Sequence, residues 1–371
     1  MTRPTVPLAL SLLLAACASE TSPSGADASA RDAADDGSPP AADVDAGPAQ
    51  DRTGCVEGDF APQRGDLHNH TSYSADFDGP SSGNPAAAFR SARDHGLDFI
   101  AVTDHLNYLT AWEYSQCRTV ADAANQPGSF AAICGYEAQF HGHGMFLFAW
   151  SLTSFPTSRS QYFDRIEACD ECVGQFNHPA NTRFPWLDFS YVAAADKNME
   201  LIELNGAHSP EARLGAYVEA LDASWSVSPS WNSDTHLDNW GSGENRTIVY
   251  PTTLTREHLR DAMHAHRTAA SNDRNTSLVL KADGCWMGSS LSGWTSAAIE
   301  VEANDGDAAD GFASVRLVGP GGADLGTMTC DGSNRCAVSQ TIDLAPPTWV
   351  LAVASETDGD LVFSAPIWIA P

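Results

Sequence analysis

Lysine is almost missing from this 371-residue chain: Lys197 and Lys281 are the only two. Basic residues number 20 against 48 acidic ones, a formal net charge of -28. A chain so poor in positive charge has little to offer nucleic-acid phosphates or an anionic membrane surface, so neither is an expected partner. An excess of carboxylates is compatible with divalent cations. Long apolar runs are also lacking near the amino terminus. Val6 to Leu14 is too short to cross a bilayer, so it reads as an address and not as a transmembrane anchor.

That address has a recognisable end. Arg3 and the apolar run lead into Leu14-Ala15-Ala16-Cys17, which resembles a bacterial lipoprotein cleavage box. The resemblance implies a signal peptide over 1–17 and a lipid on Cys17 as the sole membrane attachment. Ala18 after the cysteine implies sorting to the outer membrane, so the expected location is extracytoplasmic. Residues 18–53 are Ala, Asp, Ser, Gly and Pro with almost no large apolar side chain. Such a segment buries too little surface to offset ordering, so a disordered tether is expected. At about 35 residues it would reach on the order of 30–35 Å.

The remainder, from residue 54, is long enough for one large domain and one small one. Nine cysteines are present. Lipidation of Cys17 leaves an even number, which outside the cytoplasm reads as disulfides. Cys169-x-x-Cys172 and Cys330 with Cys336 are natural local pairs. Cys55, Cys117, Cys134 and Cys285 are left without an assigned pairing. A zinc knuckle at Cys169-x-x-Cys172 is the alternative, but its partner pair is missing at the usual spacing.

Short apolar runs recur: Phe99 to Val102, Phe130 to Ile133, Met145 to Trp150, Val173 to Phe176, Leu201 to Leu204 and Val227 to Trp231. They are continuous instead of alternating, as in strands buried on both faces. Helical stretches lie between. Asn84-Pro85 caps Ala86 to His95, with Gly96 as a stop, and Glu211 to Ala223 and Thr255 to His266 follow. The alternation predicts a parallel α/β barrel over 54–276. From 277 to 371 short strands with Gly, Asp and Pro turns predict a small β-sandwich.

His68-x-His70 opens the folded part, and at or beside the ends of those runs stand Asp104-His105, Glu137, His143, Asn177-His178 and Asp234-x-His236. Neutral imidazoles and carboxylates converging at about 2.0–2.2 Å are what a divalent metal needs. So many of them at strand ends is hard to explain as core packing. Histidines 95, 258, 264 and 266 fall in helical stretches and read as surface or packing residues.

The segments Asp66 to Thr71, Gly96 to His105, Asn177-His178-Pro179 and Ser233 to His236 together resemble the PHP (polymerase and histidinol phosphatase) superfamily, and within it the CehA/McbA-type metallohydrolases. Ile202 to Gly206, Ala265 to Ser271 and Phe363 to Ile369 add to the likeness, which covers roughly 60–371. It implies a distorted (β/α)7 barrel holding two or three ions of zinc, manganese or iron. One ion would take His68, His70, Glu137 and Asp234. A second would share Glu137 with His143 and His178, His141 being the alternative to His143. A third would take Asp76, His105 and His236, with Asp78 the alternative to Asp76.

Asp104 is expected to orient a neighbouring histidine and not to ligate. For Glu203, a structural carboxylate and a functional one are equally open. The implied activity is hydrolysis of a small phosphoester, carboxyl ester or carbamate by a metal-bridged hydroxide. Glu137 and Asp234 would serve at the catalytic centre, Arg183 and Arg267 would hold a substrate anion, and His208 would act as acid or base. A metal-retaining surface lipoprotein without turnover, gripping a glycan or protein, is the competing class; no protein partner is evident.

Overall fold

The computed structural model describes residues 51–370 except 141, 182, 184–185, 187–188, 206–208 and 345–348. The expected signal peptide, Cys17, nearly all of the tether, and His141 and His208 lie outside the described residues. Gln50–Pro371 forms one compact unit.

The first part of the chain alternates strands and helices. In order they are β1 (Gln63–Asp66), α1 (Pro85–Asp94), β2 (Phe99–Val102), α2 (Ala111–Ala124), β3 (Ala131–Phe140), β4 (Gly142–Leu147), α3 (Arg159–Glu167) and β5 (Val173–Phe176). There follow α4 (Ala193–Asp196), β6 (Met199–Glu203), α5 (Pro210–Asp222), β7 (Ser228–Ser230), β8 (Arg246–Val249), α6 (Arg256–His264) and β9 (Thr268–Ser271). Strands then dominate: β10 (Ser277–Ala282), β11 (Cys285–Trp286), β12 (Ser290–Ser292), β13 (Ser296–Asn304), β14 (Phe312–Gly319) and β15 (Ala323–Thr329). The last are β16 (Arg335–Asp343), β17 (Trp349–Glu356), β18 (Leu361–Ser364) and β19 (Ile367–Ala370).

Local chemistry starts the expected helices α1 and α6, and also α2, which the sequence reading did not include. The Asn84 side chain accepts from the Ala87 N–H, Pro85 fills the first turn, and Gly96 adopts φ +79° just past the end. Thr110 and Glu113 form a reciprocal capping box on α2, and Thr255 caps α6 through the His258 N–H.

The expected (β/α)7 barrel with a separate small β-sandwich is not what forms. The strands build a 15-stranded mixed sheet in the order β12-β19-β17-β18-β9-β8-β1-β2-β3-β4-β5-β6-β7, with β14 on β17 and β15 on β14. Pairs β1–β2, β2–β3, β5–β6 and β6–β7 are parallel, but β3–β4, β4–β5, β1–β8 and β8–β9 are antiparallel. For β3–β4 the physical reason is connection length. One residue separates β3 from β4, whereas a parallel crossover takes a dozen or more. The C-terminal region is sheet, as expected. Most of its strands extend the large sheet through β9–β18, and only β11-β10-β13-β16 make a second one.

Two covalent ties link distant or adjacent elements: Cys55–Cys285 spans 230 residues and Cys117–Cys134 joins α2 to β3. Cys169–Cys172 and Cys330–Cys336 are the expected local pairs. Large aromatics such as Phe99, Tyr136, Tyr162, Phe176 and Trp225 are fully buried, each contributing about 1.5–3 kcal/mol on leaving water. That rigid interior supports the polar cluster described next.

Candidate metal centre

Strand β1 runs out at Asp66, and the chain continues extended, so His68 and His70 project to one face and Asn69 to the other. Backbone bonds fix this segment: His70 N donates to Thr235 O at 3.0 Å and Asp234 N to His68 O at 3.0 Å. Asp66, buried and with its pKa pushed up to about 6 by burial, accepts from the N–H groups of His68 and Ser233. Trp240 donates to His70 O and Trp186 to His143 O, both at 2.9 Å. These tryptophans pin ligand-bearing backbone.

On β3, Glu137 and Gln139 share a face, and Gln139 stands opposite His143 on β4. Glu137 is buried at the centre of the cluster. Its Oε1 lies 3.0 Å from His143 Nδ1, 3.3 Å from His68 Nε2 and 3.4 Å from His178 Nε2, and its Oε2 lies 2.7 Å from His105 Nδ1. Asn177 Nδ2 donates to Oε1 at 2.8 Å.

Three groupings emerge, made up of residues that the family resemblance had assigned to three ions. His68 Nε2, His70 Nε2 and Asp234 Oδ1 form a triangle of 3.2 Å edges, with Glu137 Oε2 3.8 Å from His70. Glu137, His143 and His178 form the second. Asp76 Oδ2, His105 Nε2 and His236 Nε2 form the third, with edges of 3.1, 3.4 and 3.4 Å. It is the Asp76 carboxylate that faces the histidines; Asp78 donates its backbone N–H to His236 O. Ligand atoms about 2.0–2.2 Å from a shared ion lie roughly 2.8–3.6 Å apart, depending on geometry. The observed edges fall close to that range.

Proton bookkeeping makes the same point. Ser74 Oγ gives its one proton to Asp104 Oδ1 at 2.7 Å, so the Ser74–His70 contact of 3.1 Å needs a proton on His70 Nδ1. His68 Nδ1 faces the Glu203 carboxylate at 3.1 and 3.2 Å and carries its proton there. In the neutral rings both Nε2 atoms are then lone pairs, 3.2 Å apart, with a carboxylate oxygen against each. Three buried atoms, His105 Nδ1, Glu137 Oε2 and His178 Nδ1, make no hydrogen bond. Such an arrangement is repulsive unless a cation or extra protons occupy it. Buried His and Glu groups here could therefore hold metal ions.

Electrostatics follow the packing. Burial opposes charge on the His68 ring, but Asp234, Glu203 and Glu137 outweigh it and push its pKa well above the usual imidazole value. Burial pushes His70 down to about 3, aided by His105 and His68. Burial likewise opposes charge on His105 and His178, and Glu137 overrides it and raises both. Glu137 and Asp234 are held well below the carboxylate range by the surrounding rings, against the pull of burial. His178 and Asp234 adopt φ +31° and +50°, a backbone region costing on the order of 1–3 kcal/mol for such residues. Glu203 helps to hold the first, accepting from His178 N at 2.8 Å.

A cavity of about 210 Å³ opens on this cluster, lined by Asp76, His105, Glu137, His143, His178, Arg183, Asp234 and His236. Arg183 is thus placed with the expected ligands. Arg267 is not: it stacks 4.4 Å over Phe60 and donates to Tyr250 O. Sequence reasoning missed the supporting roles of Ser74, of Asn177, of Gln139, whose Nε2 lies 3.2 Å from His105 Nε2, and of Asn232, whose Nδ2 donates to Glu203 Oε1 at 2.9 Å. Gln139 had a signal, being two residues beyond Glu137 on one strand.

No family model matches the chain, and no curated protein matches it. Among solved structures, PsfC from Pseudomonas syringae PB-5123 is similar at 15% identity over 51% of this chain and 82% of that one, with a TM-score of 0.38. An engineered protein is similar at 13% identity over 88% and 91%, with a TM-score of 0.24. Neither likeness is close enough to assign a fold or an activity.

Proposed function

We propose that this chain is a metal-dependent hydrolase acting on a small phosphoester, carboxyl ester or carbamate. The observation that carries the reading is the single buried Glu137 carboxylate with four imidazoles around it, His68, His105, His143 and His178, within 3.4 Å. The donor set fits two or three divalent ions, His68, His70 and Asp234 holding one, His143 and His178 another, and Asp76, His105 and His236 a third. Mixed imidazole and carboxylate donors suit zinc, manganese or iron. Bound there, such ions would supply Lewis acidity and an activated water.

The chain's own residues do the rest. Glu203 fixes the His68 ring, Ser74 and Asp104 fix His70, and Asn177 fixes Glu137, so the donors are set before substrate arrives. Arg183 offers the cavity a positive charge for a substrate oxygen. At about 210 Å³ the cavity is smaller than a typical drug-sized pocket, which favours a compact reacting group. The likeness of the His68, His105, His178 and Asp234 segments to PHP metallohydrolases supports the donor set, not a barrel. Four disulfides support an oxidising compartment, in keeping with a lipoprotein anchored through Cys17. No helix among the described residues is long and apolar enough to cross a membrane.

The test is metal analysis of the purified chain followed by a panel of phosphate, aryl and carbamate esters, with and without chelator. Hydrolysis should vanish with the metal and return when it is restored. Turnover that survives complete metal removal contradicts the reading. Metal without turnover on any ester favours the binding-protein alternative.

A further inference from the structure

A second polar cluster lies among three connections: residues 272–276 after β9, residues 305–311 after β13, and the turn from β17 to β18. It contains no imidazole. Ligand oxygens of Asp273, Asp305 and Asp310 all lie within 4.8 Å of one another, and so do those of Asp273, Glu356 and Asp360. Glu356 is 3% exposed, Asp305 6% and Asp273 9%. Three of the five carboxylates have little access to water, and Asp310 and Asp360 are partly exposed.

Two observations go beyond crowding. Glu356 Oε2 is fully buried and makes no hydrogen bond, although its other oxygen meets Thr276 Oγ1 at 2.8 Å. Asn275 Oδ1, on the same loop as Asp273 and packed against Gly306 of the facing loop, is also buried without a partner. Thr276 sharpens the conflict. Its hydroxyl lies within hydrogen-bond reach of three carboxylates, Asp273 at 3.0 Å, Glu356 at 2.8 Å and Asp305 at 3.3 Å. A hydroxyl has one proton to donate, so two of those contacts set oxygen lone pairs against each other.

We propose that Asp273, Glu356 and Asp360, flanked by Asp305 and Asp310, form a second cation site for a hard, oxygen-seeking divalent ion such as calcium. Calcium takes oxygen ligands at about 2.3–2.6 Å, which puts ligands on opposite sides about 4.6–5.2 Å apart. Carboxylate oxygens this close together could reach one such ion. The site is chemically distinct from the histidine centre, which offers nitrogen, and it does not depend on any hydrolytic activity. Its place in the fold gives it a purpose: it ties the loop leaving β9 to two loops of the C-terminal strands.

The competing explanation is a trapped proton. Burial, with Asp305, Asp273 and Asp358 nearby, pushes the Glu356 pKa up to about 8, so without a cation this acid stays largely protonated at neutral pH. The variant E356Q imitates that protonated acid and separates the two. Calorimetric titration of calcium chloride into the purified chain should show one site, half-saturated between about 10⁻⁵ and 10⁻³ M. Calcium should also raise the melting temperature. E356Q should fold without calcium and bind it at least tenfold more weakly, and D360N should also bind more weakly. E137Q, in the histidine centre, should leave the titration unchanged.

No binding by the wild type up to about 10 mM, beyond the range of extracellular calcium modules, overturns the proposal. So does an E356Q titration equal to wild type, or calcium binding lost in E137Q and kept in E356Q.

Discussion

The molecule buries two groups of acids and treats them in opposite ways. Glu137, Asp234 and Asp76 face imidazole rings, the His68 and His70 rings are held from behind by Glu203 and by Ser74 with Asp104, and tryptophan N–H groups hold the His70 and His143 carbonyls. Around Asp273 the carboxylates face one another, a threonine and asparagines. The rings push Glu137 down, while burial and neighbouring acids push Glu356 up. Burial alone therefore says little about a carboxylate's state; the partner type decides. The first arrangement suits a borderline transition metal, the second a hard cation.

The largest effect should come from removing the acid that the histidine centre shares. E137A should cost at least about a thousandfold in ester hydrolysis, with loss of bound metal. Metal analysis and turnover on the same preparation check this, and the calcium titration should stay intact. If both clusters lose their ions together, the distinction drawn between them fails.

Next is the covalent tie around residue 285. Replacing Cys55 and Cys285 by serine releases a crosslink spanning 230 residues, worth on the order of 5 kcal/mol by chain entropy against about 2 kcal/mol for a span of six such as Cys330–Cys336. Denaturant unfolding of both double variants compares them. Similar losses would show that chain entropy does not govern these bonds.

A third buried acid provides a control lying in neither cluster. Glu200 is paired with His264 at 2.6 Å, and burial pushes its pKa up to about 7. A raised folded-state pKa means this group favours folding fully below the unfolded value near 4.5, and that contribution is lost as pH rises through about 7. E200Q should therefore gain stability relative to wild type across that window, by about 3 kcal/mol at most. Denaturant midpoints at pH 4.5 and 8 read it, and a difference that does not change with pH contradicts it.

The smallest effect tests the support behind a ring. E203Q should lower metal affinity about 10–100-fold while leaving the donors in place, read by competition with a chromogenic chelator. An unchanged affinity would mean that Glu203 is merely buried there.

Much of the histidine centre was legible because its chemistry is local in type. His68 and His70 are two apart on an extended segment, and Glu137, His178 and Asp234 stand beside apolar runs. The sheet was less legible. β2 is buried along its whole length, whereas β13 alternates buried and exposed positions. A continuous apolar run reports burial on both faces but not the direction of the neighbour, so the sequence alone does not separate the antiparallel β3, β4 and β5 from parallel strands. The carboxylate cluster was invisible because Asp273, Asp305 and Glu356 are brought together by three separate loops, and isolated acids in turns look like solvent-facing residues.

The most direct measurement is anomalous diffraction from crystals of the purified chain at the zinc, manganese and iron edges. Peaks should appear about 2.0–2.2 Å from the Nε2 atoms of His68 and His70 and beside Glu137, with none at Asp273. A map without a transition-metal peak among His68, Glu137, His178 and Asp234, in protein grown and purified with those metals present, would contradict the account.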